Sequence, residues 1–183
     1  MRLPGGPHLE VLTPLSREHY CVLLPILNWY NQDPARVTCF SDALFRNRGP
    51  SLRLIDYLVV SYSRHHRVMV TGQSSLPTDL WDEYRRALGT YGKKLFDVFK
   101  RKHYISIRLH GRQEIYEATI GQLTFFQWYQ QLGLDKYMEE SGSRVREHMK
   151  ASESGKGRRG STRHSAVKPT PNLYLGSVSM EFS

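Results

Sequence analysis

The clearest pattern along the chain is the alternation between His103 and Thr119. Ile105, Ile107 and Leu109 alternate with Tyr104, Ser106 and Arg108, a period of two that predicts a half-buried strand. Gly111-Arg112 is a Gly-X pair suited to a two-residue type II′ turn. That turn predicts a hairpin in which Ile107 faces Tyr116 and Ile105 faces Ala118. Ile105, Ile107, Leu109, Tyr116 and Ala118 then form the core face. Tyr104, Ser106, Arg108, Ile115 and Glu117 form the opposite face. Phe125, Trp128, Tyr129 and Leu132 follow at i, i+3, i+4 and i+7, one stripe of a helix over about 121–132. Gly133 suits its C-terminal stop.

Upstream, Thr13-Pro14 predicts the start of a helix over about 15–30, kinked or ended at Pro25. Residues 31–50, with Asp33-Pro34 and Gly49-Pro50, read mainly as loop, with a short turn near 40–45. Ser51 caps a helix whose stripe is Leu52, Ile55, Val59 and Tyr62, closing on Arg64, His65 and His66. Arg67–Thr71 reads as a short strand. Thr78 or Asp79 opens a helix that Gly89 and Gly92 end or break. Residues 93–102 are expected to form a short helix. Asp135 begins another, and a basic helix is expected over 144–150.

The two ends read differently. Residues 1–12 are expected to be a loose arm. Residues 151–171 are nearly devoid of apolar side chains and are expected to be a basic flexible linker. Val178, Met180 and Phe182 alternate with polar residues, so 172–183 is expected to return to the domain as a strand. The predicted class is α+β, with one domain over 13–150. Its small antiparallel sheet comprises Arg67–Thr71, His103–His110, Gln113–Thr119 and Tyr174–Phe182, with helices mainly on one face.

Composition sharpens the functional picture. Lys and Arg number 26 against 17 Asp and Glu, a net charge of +9, which favours anionic partners, nucleic acid first. One basic cluster is Lys93, Lys94, Lys100, Arg101 and Lys102, interleaved with Phe96, Phe99 and Tyr104. Lysine and arginine neutralise phosphates, and exposed aromatics stack on unpaired bases. The alternative is that Leu95, Phe96 and Phe99 are the buried side of a segment whose charges are merely solvated. A second basic stretch runs from Arg144 to Lys168, where eight Lys and Arg face two Glu. Lys156, Arg158, Arg159 and Arg163 suit a mobile arm on nucleic acid or a nuclear-import patch. A plain charged linker is the competing reading.

Signals for catalysis are weak. Cys21 and Cys39 make no zinc pattern, and their apolar neighbours predict buried free thiols. The histidines are poorly spaced for a metal or for a nucleophile and base. Gly89–Lys94 is too short for a phosphate loop, and Gly155–Thr162 lacks a preceding strand. Asp79, Asp82 and Glu83 read as a solvated helix face. No enzyme activity and no cofactor are expected. The first residues show no signal-peptide core, and no apolar run approaches about 18 residues. The expected setting is intracellular: cytoplasm or nucleus, without membrane insertion.

Lys93-Lys94-Leu95-Phe96-Asp97-Val98-Phe99-Lys100-Arg101 and Ala118-Thr-Ile-Gly-Gln-Leu-Thr-Phe-Phe-Gln-Trp128 together resemble a family of uncharacterised proteins from large nucleocytoplasmic DNA viruses, iridoviruses in particular. The order of elements is similar over roughly 51–150. Lys100 stands where the family pattern has cysteine, so no role of that thiol carries over. The resemblance implies a viral origin, in a host cell or a virion, and no mechanism. Two functions follow as expectations. One is a non-enzymatic viral protein that contacts DNA or RNA through the basic residues. The other is a structural or virion-associated adaptor that docks on viral proteins through exposed aromatics and its last strand.

Overall fold

The structure, a computed structural model, describes residues 8–45, 49–71, 76–99, 104–110 and 114–157, with side chains described through residue 154. The fold is α+β. Its main sheet holds β1 (Leu9–Val11), β4 (Tyr104–Leu109) and β5 (Ile115–Thr119), all antiparallel, in the order β1-β4-β5. Ile107 faces Tyr116 and Ile105 faces Ala118, the register read from the sequence, although Gly111 and Arg112 lie outside the described residues. Ile105, Ile107, Leu109 and Ala118 are buried, while Tyr104 and Ile115 are exposed.

β1 corrects the expectation of a loose arm through residue 12. Leu9 is buried, and its backbone is clamped by one side chain. The Leu9 N–H donates to Asn31 Oδ1 at 2.8 Å, and Asn31 Nδ2 donates back to the Leu9 carbonyl at 3.1 Å. Thr13, expected to cap a helix, instead accepts the Ser106 N–H at 2.7 Å. The cap of α1 (Arg17–Asn31) is Ser16. Pro25 lies within α1 on its exposed side, where water can satisfy the carbonyl that the proline leaves without a donor.

The segment expected to be loop is α2 (Pro34–Phe45). Asp33 accepts the Ala35 N–H at 2.9 Å, and Pro34 takes the first helical position, where no N–H is needed. Next comes α3 (Leu52–Tyr57), capped by Ser51, then a π-helical segment Leu58–Tyr62, then α4 (Ser63–His65). β2 (Met69–Val70) pairs with β3 (Thr78–Asp79) in a separate two-stranded sheet. The strand predicted over 67–71 therefore does not join the hairpin. α5 (Leu80–Tyr91) is capped by Asp79 and ends at Gly92, with φ 69°.

The centre of the core is α6 (Ile120–Gln131). Thr119 and Gln122 form a reciprocal capping box. The expected stripe is wider than predicted: Leu123, Thr124, Phe125, Phe126, Trp128 and Tyr129 are all buried. Tyr30 donates to the Leu123 carbonyl at 3.2 Å, and Tyr129 to the Leu134 carbonyl at 3.0 Å. Gly133 has φ 65°, and α7 (Leu134–Gly157) follows. α7 replaces the two short helices predicted there and takes in residues 151–157 of the predicted linker. Arg53 ties it to α3 through Glu153 at 2.6 Å. The predicted strand 174–182 lies outside the described residues.

Candidate functional site

The described part of the basic cluster, residues 93–99, does not form the predicted helix. Gly92 turns the chain away from α5, and residues 92–96 are turns. The Phe99 N–H donates to Asp97 Oδ1 at 3.0 Å, an Asx-type turn that competes with helix. Phe96 is buried. Its ring lies 5.4 Å from Tyr91, 5.3 Å from Phe125 and 5.2 Å from Trp128. Lys93 and Lys94 are exposed, and Phe99 is 52% exposed. Of the three residues sharing one predicted buried side, Phe96 is thus buried, Leu95 partly so, and Phe99 faces outward.

The two sequence runs that carry the resemblance interlock. Gln122 Nε2 donates to the Val98 carbonyl at 3.3 Å. A Cβ added at Gly121 would stand 3.0 Å from the Asp97 carbonyl oxygen. A side chain there would meet that carbonyl more tightly than side chains usually do, so glycine suits the approach. These residues therefore fix the 92–99 loop on the start of α6.

Beneath the loop is a cavity of about 300 Å³, lined by Asp56, Tyr84, Lys93, Asp97 and Phe99 among others. Burial pushes the Asp56 carboxyl up from 3.8 to about 6, and Asp97 adds to the effect. Burial also raises the Tyr84 phenol, helped by Asp56 and Asp97. Two carboxylates facing one space repel anions, and Lys93 borders the same cavity. Sequence reading passed over Asp56, because its partner Asp97 is remote in the chain and no spacing links them.

A second groove, of about 510 Å³, contains Cys39, Asp42, Asp135 and Glu139 over a floor that includes Ile55 and Phe126. Burial pushes the Cys39 thiol up to about 11, with Asp135, Asp42 and Glu139 adding to it. A thiol held protonated is a poor nucleophile. Cys39 is half-buried, and Cys21, expected to be buried, is exposed. Among the described residues no group of three or more His, Cys, Asp or Glu could hold a metal ion. No helix among them is long and apolar enough to cross a membrane.

The remaining predicted contacts are placed unevenly. Lys100, Arg101, Lys102, Arg158, Arg159 and Arg163 lie outside the described residues. Lys156 falls in the last turn of α7. Among the described residues, the site keeps Lys93 and Lys94 at its rim.

Residues 27–169 match a family described as a family of unknown function (DUF7197). The chain belongs to this family. The matched span of DUF7197 contains the interlocked loop, α6 and nearly all of the helical core. The chain is also similar to an uncharacterised protein of Acanthamoeba polyphaga mimivirus, with 29% identity over 107 residues. That match covers 55% of this chain and 41% of the relative's length. The chain thus spans less than half of the relative it matches, and that relative is viral. No solved structure matches this chain.

Proposed function

We propose that this member of DUF7197 is a non-enzymatic viral protein that binds nucleic acid along the outer side of the 92–99 loop. The observation that carries the reading is Phe99, a half-exposed aromatic on a loop that also displays Lys93 and Lys94. The sequence continues directly into Lys100, Arg101 and Lys102. Lysines and arginines hold the phosphate backbone, while an aromatic face stacks on an unpaired base. Lys156, Arg158, Arg159 and Arg163 supply a second basic stretch. The resemblance of the two interlocked runs supports an origin among iridovirus-like large DNA viruses, acting in the host cytoplasm or nucleus.

The test is fluorescence anisotropy with labelled single-stranded DNA and RNA across a salt series. Log affinity should fall linearly with log salt, and each lost phosphate contact should flatten the slope by about 0.7. Reversing Lys93, Lys94, Lys100, Arg101 and Lys102 to Glu should flatten it most, and Phe99→Ala should weaken binding by about 1–3 kcal/mol. Reversing Lys156, Arg158, Arg159 and Arg163 measures the other stretch separately. Affinity that ignores salt and both reversals overturns the proposal.

A second reading, a virion-associated adaptor, draws on the sheet edge. β5 is an outer strand; its Ile115 is 58% exposed, and Tyr104 on the adjoining β4 is 50% exposed on the same face of the sheet. Such an edge suits strand addition by a viral protein partner. Mass spectrometry of purified virions tests it, and absence of the protein from them sinks it.

A further inference from the structure

The face of the molecule formed by α3, the π-helical segment, α4 and α7 carries a third cavity, of about 560 Å³. Tyr57, Ser61, Arg64 and His65 line one wall, and His148 and Ser152 line the other. The π-helical segment explains how the first wall is assembled. The Ser63 N–H reaches back five residues to the Leu58 carbonyl, and the wider turn shifts the side chains that follow. Such segments recur at functional sites. Ser63 Oγ donates to the Val59 carbonyl at 2.6 Å, which satisfies a carbonyl of the widened turn.

The second wall is held in place by rings. The Tyr57 hydroxyl lies 2.8 Å from His148 Nδ1. Tyr62 stacks on His66 at 4.3 Å between centroids, and His66 meets His148 edge-on at 4.7 Å. This arrangement fixes the His148 ring and engages one of its nitrogens. The Arg64 guanidinium lies 5.0 Å from the centre of the Trp81 ring, which restrains its position while its N–H edge remains a donor. Among the described residues, no carboxylate lines the cavity. The neighbouring Glu153 is engaged by Arg53 at 2.6 Å.

We propose that this cavity binds a phosphate dianion, either free or as the terminal group of a small phosphate monoester. The argument is one of chemical balance. A guanidinium, two imidazoles and three hydroxyls border one space with no lining anion. A phosphate monoester presents three strong acceptor oxygens, and planar guanidinium donors match them in pairs. The volume lies within the range usual for small-molecule sites. This site is separate from the lysine-bearing loop and does not rest on nucleic-acid binding.

Calorimetric titration of the full chain at constant ionic strength tests it, with inorganic phosphate, phenyl phosphate and dimethyl phosphate as probes. Inorganic phosphate or phenyl phosphate should bind and dimethyl phosphate should not. Tighter binding of phenyl phosphate assigns an organic monoester, and equal binding assigns free phosphate. Arg64→Gln and His148→Gln should each weaken binding by about tenfold or more, the loss of one charge-assisted hydrogen bond. Because both side chains also pack, Ser152→Glu serves as a second probe: it places a carboxylate at the groove and should abolish binding. Lys93→Glu should leave it unchanged. Absence of phosphate binding at tens of millimolar overturns the proposal. So does equal binding of dimethyl phosphate, or affinity unmoved by all three groove variants.

Discussion

Replacing Gly121 with alanine tests the interlock directly. The new Cβ would stand 3.0 Å from the Asp97 carbonyl oxygen and 3.6 Å from its backbone nitrogen. Neither atom belongs to a flexible side chain. The loop that carries them is further pinned by the Gln122 bond to Val98 and the Asp97 turn. Forcing such a contact costs about 1–3 kcal/mol. The helix-forming gain of alanine over glycine offsets up to about 1 kcal/mol of that. Gly89 supplies the matched control. It is exposed within α5, and an added Cβ there meets nothing within 4 Å. Gly89→Ala should therefore stabilise by about 0.5–1 kcal/mol. In a protein of this size each kcal/mol shifts Tm by about 2–4 °C. Gly121→Ala should lower Tm by several degrees and Gly89→Ala should raise it, with urea unfolding followed by tryptophan fluorescence as the second measure. If Gly121→Ala stabilises as much as Gly89→Ala, loop and helix do not meet as described.

Two further predictions concern titratable groups. Asp56 is raised from 3.8 to about 6 by burial and Asp97, so the folded state binds its proton more tightly than the unfolded state. Stability should then fall as pH rises from about 4 to about 6 and level off above. The shift of about two units, halved for solvent screening, corresponds to about 1.5 kcal/mol. Asp56→Asn should remove this slope and be the more stable protein above pH about 6; an unchanged slope in urea titrations across pH refutes the assignment. Cys39 is held up to about 11 by burial and then Asp135, so iodoacetamide should label exposed Cys21 well before Cys39. Asp135→Asn should speed labelling at Cys39, read by peptide mass spectrometry, and equal labelling of both thiols in the unaltered protein contradicts the burial argument.

The parts of this fold that were legible in the sequence are those whose determinants are local. The period-two run in β4 and a Gly-X pair predict the register that β4 and β5 adopt. Ser51, Asp79 and Gly133 announced helix ends through their own side-chain or backbone chemistry. The misreadings have local signals that serve two purposes. Asp33-Pro34 suits a turn and suits equally the cap and first residue of a helix; burial of Val37, Phe40 and Ala43 decides for the helix. Residues 93–99 have helical spacing of Leu95, Phe96 and Phe99, yet Gly92 and the Asp97 turn redirect the chain. β1 has only three residues, and Asn31, 22 positions away, holds it. The polar end of α7 gains partners from Tyr57 and Arg53, pairings about a hundred positions apart that no window on the chain displays. The same distance hides both cavities: Asp56 meets Asp97, and Tyr57 meets His148, only after folding.

Most of the residues that make this chain recognisable hold the loop to α6. Phe96 is buried, the Asp97 carboxylate caps its own turn, Gly121 makes room for a carbonyl, and Gln122 caps both its own helix and the loop. Each is occupied by holding the loop to α6. The outward residues of the same loop, Lys93, Lys94 and Phe99, take no part in that lock. Lys93 and Phe99 also line the cavity that Phe96 and Asp97 border, so loss of binding in those variants reports recognition rather than folding only where Tm is unchanged. Variants within the lock should show the reverse, a lower Tm with binding retained by whatever fraction stays folded. The same separation holds for Ser152 on the far cavity, which lies on α7 beyond the core. Paired measurements of stability and binding on the two sets of variants therefore separate folding from recognition, which likeness to the relatives does not do.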